Sequence, residues 1–173
     1  SPYVIAGMEA VGGDVVGYEA NGGFLLGFGA RGPAGALPPL MTRDAVLPLV
    51  APLALAKEAG GLAALVASEP ARFTAADRLQ EVPTEVSMAL VADLDTNADK
   101  RADFLATISG IEVAVDRTDG LRITLQDGRI VHLRPSGNAP ELRLYVEADG
   151  VAAATTALQD GLVALRHAVD AYA

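Results

Sequence analysis

The sequence lacks cysteine, is poor in basic residues and contains no long apolar run. Without cysteine there are no disulfide bonds, no thiol catalysis, no iron–sulfur clusters and no cysteine-based zinc sites. The 13 basic residues are outnumbered by 22 acidic ones, and the net charge of −9 would on average repel nucleic acids and anionic membranes. Pro, Gly or charged residues interrupt the apolar runs well short of the ~20 residues that cross a bilayer. The composition predicts a soluble globular chain with neither partner.

The chain also lacks an initiating Met and the basic segment that begins a signal peptide. Its 173 residues are enough for one ordinary domain or two small ones. We therefore expect a fragment of a larger protein, whether natural, cloned or proteolytic.

The first 70 residues are rich in glycine and short apolar runs. The runs at 3–6, 15–18 and 24–27 are bounded by glycine, which is typical of buried strands in an α/β sheet. Residues 42–44 are predicted to cap and begin a helix that ends at Gly60, and a short helix is predicted at 62–68. This pattern predicts part of an α/β domain over residues 1–70.

The remainder has a different pattern, which begins after a polar, proline-marked linker predicted at 71–84. Residues 85–173 are predicted to form a two-layer α+β domain with an antiparallel sheet packed by helices. The Asp-Gly pairs at 119–120 and 127–128 are typical hairpin turns. The predicted elements are a helix at 98–109 capped by Thr96 or Asn97, alternating strands at 111–115, 121–126 and 142–148, and an amphipathic helix over 151–172.

Three motifs suggest chemistry that their context contradicts. Gly27–Gly32 fits G-x-G-x-x-G, but proline follows where a nucleotide-binding helix would begin. Residues 93–99 imitate a calcium loop, but Ala98 replaces the required glycine and Phe104 the bidentate Glu. The two histidines, at 132 and 167, have no second ligand at metal spacing. We therefore predict no catalytic residue and no metal site in this chain.

A polar loop at residues 133–143, L-R-P-S-G-N-A-P-E-L-R, interrupts two alternating strands. Successive backbone N–H groups around Ser136, Gly137 and Asn138 can surround an anion, and Arg134 can bind two of its oxygens. Arg143 can add a second cation. An ordinary hairpin loop with solvated arginines explains the same residues equally well on chemical grounds alone.

The segment RPSGNAPELRLYVEA closely resembles the phosphate-binding loop of the α-D-phosphohexomutases, R-x-S-G-T-E-P followed by an arginine-bearing strand. Arg134, Ser136, Gly137 and Pro140 match this pattern. An Asn replaces the usual Thr and retains a donor, whereas an Ala replaces the usual Glu and removes a carboxylate. The phosphate-binding residues that the resemblance implies are Arg134, Ser136, Gly137, Asn138 and Arg143.

A second segment, GYEANGG at 17–23, resembles the family's sugar-binding loop, commonly G-G-E-x-S-G-H. By this resemblance Glu19 accepts hydrogen bonds from sugar hydroxyls, with Asn21 in the place of Ser and Gly22 beside it. Gly23 takes the place of His. The pattern fits mannose, glucose, glucosamine or N-acetylglucosamine phosphates, and the resemblance favours a phosphomannomutase or phosphoglucomutase.

Phosphohexomutases have four domains, and the resemblance places 1–70 at the end of the third domain and 85–173 in the fourth. The family's phosphoserine motif, T-x-S-H-N-P, and its magnesium loop, D-x-D-x-D-R, are absent from the sequence. The resemblance thus implies the substrate-binding part of a cytoplasmic mutase that interconverts hexose 1-phosphate and hexose 6-phosphate through hexose 1,6-bisphosphate. Magnesium and the phosphoprotein centre are expected in the missing N-terminal domains, and this fragment alone is expected to be inactive.

Two other interpretations remain open from the sequence. The chain could be a stand-alone phosphosugar-binding or regulatory module without mutase activity. Residues 1–70 could instead be an incomplete domain whose exposed sheet edge pairs with a second copy. An open reading frame that continues upstream through the phosphoserine motif would exclude the stand-alone module.

Overall fold

A computed structural model describes residues 2–19, 22–32 and 34–172. The chain divides into two compact units, unit 1 (residues 1–70) and unit 2 (residues 71–173).

The described part of unit 1 combines helices with short antiparallel strands. Strands β1, β2 and β5 form one sheet in the order β1-β2-β5, and β3 pairs with β4 in a separate hairpin. The elements are α1 (Pro2–Val11), β1 (Val16–Tyr18), β2 (Phe24–Leu26), β3 (Ala30–Gly32), β4 (Gly35–Leu37), β5 (Leu40–Asp44), α2 (Leu47–Ala59) and α3 (Leu62–Ser68).

Residues 3–6 belong to helix α1 and not to the strand that the sequence analysis predicted. The four-residue spacing of Val4 and Met8 puts both side chains on one face of the helix, against Gly17 of β1. A Cβ at position 17 would collide with both side chains. A short apolar run could not distinguish this helix from a buried strand.

The beginning of α2 also differs from the prediction, because residues 42–44 end strand β5. The Asp44 carboxylate accepts hydrogen bonds from the backbone N–H groups of Val46 (2.8 Å) and Leu47 (3.3 Å), so it supports the first turn from outside the helix. Gly60 ends α2 with φ of 86°, as predicted. Among the described residues no single helix meets the length and apolarity needed to cross a membrane; α2 and α3 meet them only as a pair bent by 93°.

Unit 2 is a five-stranded antiparallel sheet in the order β6-β10-β9-β8-β7, with helices packed on one face. This architecture confirms the predicted α+β class. The elements are β6 (Phe73–Gln80), α4 (Thr84–Thr96), α5 (Ala98–Thr107), β7 (Glu112–Asp116), β8 (Leu121–Leu125), β9 (Ile130–Pro135), β10 (Glu141–Ala148) and α6 (Val151–Asp170). Asn97 caps α5 through a hydrogen bond from the N–H of Lys100, as one of the two predicted caps.

The predicted linker at 71–84 contains an edge strand. Residues 73–80 form β6, which pairs with β10 along its whole length from Glu141↔Gln80 to Ala148↔Phe73. Only Leu79 of this strand is buried, so its residues show no apolar alternation. The backbone hydrogen bonds of the ladder, which composition does not reveal, hold this strand in the sheet.

The core lies between the sheet and the helices and explains the alternation in the strands. On β10 the side chains of Leu142, Leu144 and Val146 are fully buried, whereas the residues between them lie on the opposite, open face. Helix α6 approaches the sheet closely at Gly161, where a Cβ would lie 2.8 Å from the Leu144 side chain. Every second residue of the central strands is therefore free to carry polar chemistry.

Candidate functional site

The polar loop singled out in the sequence joins β9 to β10. The Ser136 N–H donates to the carbonyl oxygen of Glu141 (3.0 Å), and the N–H of Glu141 donates to that of Ala139 (2.8 Å). The N–H of Val82, after β6, donates to the carbonyl of Pro140 (3.1 Å) and ties the loop to the edge of the sheet. These bonds fix the loop's base at the end of two central strands.

Three arginines lie side by side on the open face next to this loop. In the strand register Arg143 of β10 pairs with Arg134 of β9 on one side and with Arg78 of β6 on the other. Residues directly opposite in an antiparallel sheet share a face, with Cβ atoms about 5 Å apart. Like charges in such positions repel, so the row requires anionic neighbours or an anionic ligand.

Asp119 supplies one of these neighbours from the turn between β7 and β8. Its Oδ1 accepts a hydrogen bond from Nε of Arg134 (3.1 Å), and its Oδ2 lies 3.0 Å from the same nitrogen. The next residue, Gly120, has φ of 84°, and a Cβ there would collide with the carbonyl oxygen of Leu133. Glycine thus allows the turn to lie against β9, where Asp119 reaches Arg134.

Glu141 supplies the second neighbour from the first position of β10. One of its carboxylate oxygens accepts from Nη2 of Arg143 (3.2 Å), and the other lies 3.0 Å from Nε of Arg78. The hydrogen bond to Glu141 raises the pKa of Arg143, so this guanidinium is firmly protonated. Arg143 Nη2 also donates to Ser136 Oγ at 3.4 Å.

The loop side chains present donors at the same place. Ser136 is only 3% exposed, and its hydroxyl lies 3.1 Å from the amide oxygen of Asn138. No atom lies within 4 Å of the Cβ position of Gly137, so the chain leaves open space beside it. The structure therefore brings Arg134, Ser136, Asn138 and Arg143 together around an uncovered backbone turn.

Two concave surfaces flank the site. One, of about 380 Å³, separates the loop from α4 and is lined by residues that include Thr84, Asp95 and Gly137. The other, of about 280 Å³, lies on the open face and includes Arg78 and Arg143. Ligand oxygens could approach the guanidinium groups from the open face without displacing the core.

Glu19 and Gly22, two of the predicted sugar-binding residues, lie in unit 1 between β1 and β2. The N–H of Glu19 donates to the carbonyl of Gly23 (2.8 Å), and the N–H of Gly22 donates to that of Glu19 (2.9 Å). Gly22 has φ of 87°, which this tight turn requires. The Glu19 side chain is 14% exposed and lies 3.5 Å from Nε of Arg43. Asn21 lies outside the described residues.

The motifs set aside in the sequence analysis have structural roles in the described part of the chain. Gly27–Gly32 runs into strand β3 and is followed by β4. Asp93 accepts from Lys100 Nζ and Tyr172 Oη, which connects helices α4 and α5 with the turn that follows α6. His132 contacts the carbonyl of Asp119 and the Tyr145 ring. No group of three or more potential metal ligands occurs among the described residues.

Arg78, Asp119 and Glu141 are not among the site residues that the sequence predicts. Arg78 lies in the segment predicted to be a linker, for which the sequence gives no register with Arg143. Asp119 is predicted only as part of a turn. A signal for Glu141 exists, because strand alternation puts it on the same face as Arg143.

Comparison with known proteins identifies relatives of the whole chain. The family model for the phosphoglucomutase/phosphomannomutase C-terminal domain matches residues 69–165. A phosphomannomutase of Sinorhizobium fredii is 44% identical over 170 residues, which is 95% of this chain and 36% of the relative. A phosphomannomutase of Salmonella muenchen is 43% identical over 148 residues, 84% of this chain and 28% of the relative. The chain thus spans about a third of the length of these relatives.

A solved structure has the same fold. It is a phosphoglucomutase/phosphomannomutase family protein from Burkholderia thailandensis, with a TM-score of 0.61 and 21% sequence identity, and the match covers 95% of this chain and 30% of that one. The family-model match covers more than half of the 173 residues. The chain therefore belongs to the phosphoglucomutase/phosphomannomutase family and includes its C-terminal domain.

Proposed function

We propose that this chain is the substrate-binding part of a phosphohexomutase, most specifically a phosphomannomutase or phosphoglucomutase, that interconverts hexose 1-phosphate and hexose 6-phosphate. The loop of unit 2 binds the phosphate that is not being transferred. The observation that carries this proposal is the convergence of Arg134, Arg143 and Ser136 on one uncovered loop, in a member of this family.

The geometry suits a dianionic phosphate. Among the described residues, Asp119 engages only the Nε edge of Arg134, which leaves both Nη groups available as a two-pronged donor. The Asn138 amide and the backbone N–H groups of the turn add further donors, and the Ser136 hydroxyl, which donates to Asn138 Oδ1, orients that amide. Phosphoryl transfer depends mainly on positioning and charge stabilisation, so a firm hold on the distal phosphate contributes directly to the rate.

In this proposal Glu19, Asn21 and Gly22 of unit 1 bind the sugar hydroxyls. The Glu19 carboxylate lies 3.5 Å from Nε of Arg43, and carboxylate oxygens accept hydrogen bonds from hydroxyl groups. Hexose 1,6-bisphosphate is the intermediate that must reorient between the two half-reactions. The particular hexose, whether mannose, glucose, glucosamine or N-acetylglucosamine, is to be read from binding data.

The chemistry of phosphoryl transfer is assigned to the rest of the protein. The described residues offer no set of ligands that fits magnesium, and the sequence lacks the family's phosphoserine motif. The residues of this chain therefore bind and orient the substrate. The whole protein is proposed to lie in the cytoplasm.

The apolar surface of unit 1 supports contact with the remaining part of such a protein. Helices α2 and α3 expose Leu49 (68%), Leu53 (59%) and Val66 (64%). Exposed apolar side chains of this kind are typical of a surface that contacts another part of a protein. Pairing of two copies through the sheet of unit 1 is the alternative. Sedimentation of the isolated chain, with and without the co-expressed remainder, distinguishes a heterologous contact from a homodimer.

The test is a titration of the 173-residue chain, followed by amide chemical shifts, with mannose 1-phosphate, glucose 1-phosphate, N-acetylglucosamine 1-phosphate and inorganic phosphate. We expect shifts at 134–143 with all four, and shifts around Glu19 with the preferred sugar. Arg134→Ala should weaken phosphate binding about 10- to 100-fold, the usual effect of losing hydrogen bonds to a charged group. Arg122→Ala, on the same face but away from the loop, is the matched control.

Unchanged binding in Arg134→Ala would reject the loop as the phosphate site. Binding of sugar phosphates, together with no mutase activity on addition of the N-terminal part, would favour the stand-alone phosphosugar-binding module instead.

A further inference from the structure

We infer that Glu141 is a positioning residue of the phosphate site, which holds Arg143 against the loop and joins Arg78 to the site as a third cation. This inference rests on the proposed function of the loop. It adds two residues, Glu141 and Arg78, that lie outside the pattern R-x-S-G-T-E-P.

The Glu141 carboxylate lies between two guanidinium groups. One oxygen lies 3.0 Å from Nε of Arg78, and the other accepts from Nε (3.4 Å) and Nη2 (3.2 Å) of Arg143. The carboxylate side chain is 17% exposed, much less than a typical surface ion pair. A carboxylate shared in this way restricts both arginines to one arrangement.

The Arg143 guanidinium is held against the loop. Its Nη2 contacts both Glu141 and Ser136 Oγ, so the same nitrogen connects the carboxylate to the loop. Asp119 holds the Nε edge of Arg134 in a similar way. Each of the two guanidinium groups is thus oriented by a carboxylate.

A positioning role of Glu141 can be distinguished experimentally from a role as a counter-charge. If Glu141 acted only as a counter-charge, any carboxylate at this position would serve, and its removal would strengthen anion binding. If Glu141 acts through geometry, a shorter carboxylate should fail, because both contacts are already at hydrogen-bond length and Asp lacks one methylene of reach. The variant Glu141→Asp therefore tests geometry at constant charge.

The same strand offers a matched control. Glu147 lies on β10 on the same open face, and its carboxylate also lies between two arginines, Arg72 (3.7 Å) and Arg122 (3.8 Å), but away from the loop. Glu147→Asp shortens a carboxylate that also lies between two arginines, at longer distances and with 37% exposure, without touching the proposed site.

The experiment measures the Kd of inorganic phosphate for the full 173-residue chain, together with the Nε–H resonance of Arg143 and the melting temperature. We expect Glu141→Asp to weaken phosphate binding five- to tenfold and to shift the Arg143 resonance, whereas Glu147→Asp changes the Kd less than twofold. Arg78→Gln should weaken binding about threefold, and this effect should disappear in the Glu141→Asp background because Arg78 acts through the same carboxylate.

The outcomes distinguish the two hypotheses. Phosphate binding that is lost in Arg134→Ala but unchanged in Glu141→Asp would overturn this inference and leave the proposed function standing. No phosphate binding by the unsubstituted chain would overturn both. A fall in melting temperature that is equal in Glu141→Asp and Glu147→Asp, with equal Kd values, would assign Glu141 a merely structural role.

Discussion

Replacement of Arg101 by methionine should cost unit 2 a large part of its stability. Arg101 is 7% exposed, and its guanidinium donates from Nη1 to the carbonyl oxygens of Leu94 (2.8 Å) and Asp95 (2.9 Å) at the end of α4. Its Nη2 donates to Glu112 Oε1 of β7 (3.1 Å), and its Nε donates to the other carboxylate oxygen. One side chain thus joins two helices to the edge of the sheet, and the hydrogen bond to Glu112 raises the pKa of Arg101.

The expected loss follows from what Arg101→Met leaves behind. Breaking a buried ion pair costs about 3–5 kcal/mol, and the lower end applies because the Glu112 side chain is 31% exposed and can be partly solvated. Methionine retains the aliphatic packing of the arginine stem, so the loss of about 3 kcal/mol is mainly polar. For a unit of about 100 residues this corresponds to a fall in Tm of roughly 12 °C.

The assay is urea unfolding followed by the amide resonances of β10 and α5, so that only unit 2 is observed. Arg117→Met is the matched control, because Arg117 forms an exposed ion pair with Asp95 that should be worth less than about 1 kcal/mol. Arg101→Lys should recover less than half of the loss, since an ammonium group cannot reproduce the fork. Equal losses in Arg101→Met and Arg117→Met would refute the reasoning.

Three further predictions concern the turn before β8, the core and the segment after the last helix. Gly120→Ala should cost at least about 2 kcal/mol in urea unfolding and weaken phosphate binding, because φ is 84° and the new Cβ meets the Leu133 carbonyl; native-like stability would contradict this. Leu144→Ala, at a fully buried position, should cost about 2–5 kcal/mol in the same assay, and a loss below 1 kcal/mol would argue against the packed core. The hydrogen bond to Asp93 raises the pKa of Tyr172 above 10.0, so its contribution is complete below pH 10 and is lost as the pH rises through the raised value. The Tm difference between the native chain and Tyr172→Phe should therefore be constant from pH 7 to 9 and shrink above pH 10; a constant difference to pH 11 would exclude this bond.

The sequence was sufficient for elements whose side chains alternate or recur on one face. Strands β8 and β10 and helix α6 bury one regular set of apolar residues, and the Asp-Gly pairs mark the hairpins between the strands. Strand β6 was not predictable in this way, because backbone pairing with β10 holds it and only Leu79 is buried. Helix α1 was missed because a four-residue apolar run has no measurable period.

The same distinction applies to the candidate site. The loop motif identifies Arg134 and Ser136 locally, since both lie within a few residues of the turn. Asp119, which orients Arg134, comes from the turn between β7 and β8, and Arg78, which shares Glu141 with Arg143, comes from β6, so strand register decides that these groups meet. A one-residue shift of β6 would move Arg78 to the other face, so pairing that the sequence does not encode locally determines this part of the site.

Anion binding by the arginine cluster depends on the charges close to it and little on the net charge of the chain. The chain carries −9 overall, yet charges separated by more than about 8 Å are largely screened at physiological ionic strength. Within the cluster three arginines face the carboxylates of Asp119 and Glu141, which leaves at most one net positive charge. Attraction to net charge alone would therefore be weak. Selectivity for phosphate must come from the directed N–H donors at the loop. For this reason the orientation of Arg143 by Glu141 should affect affinity more than the loss of one charge elsewhere on the sheet.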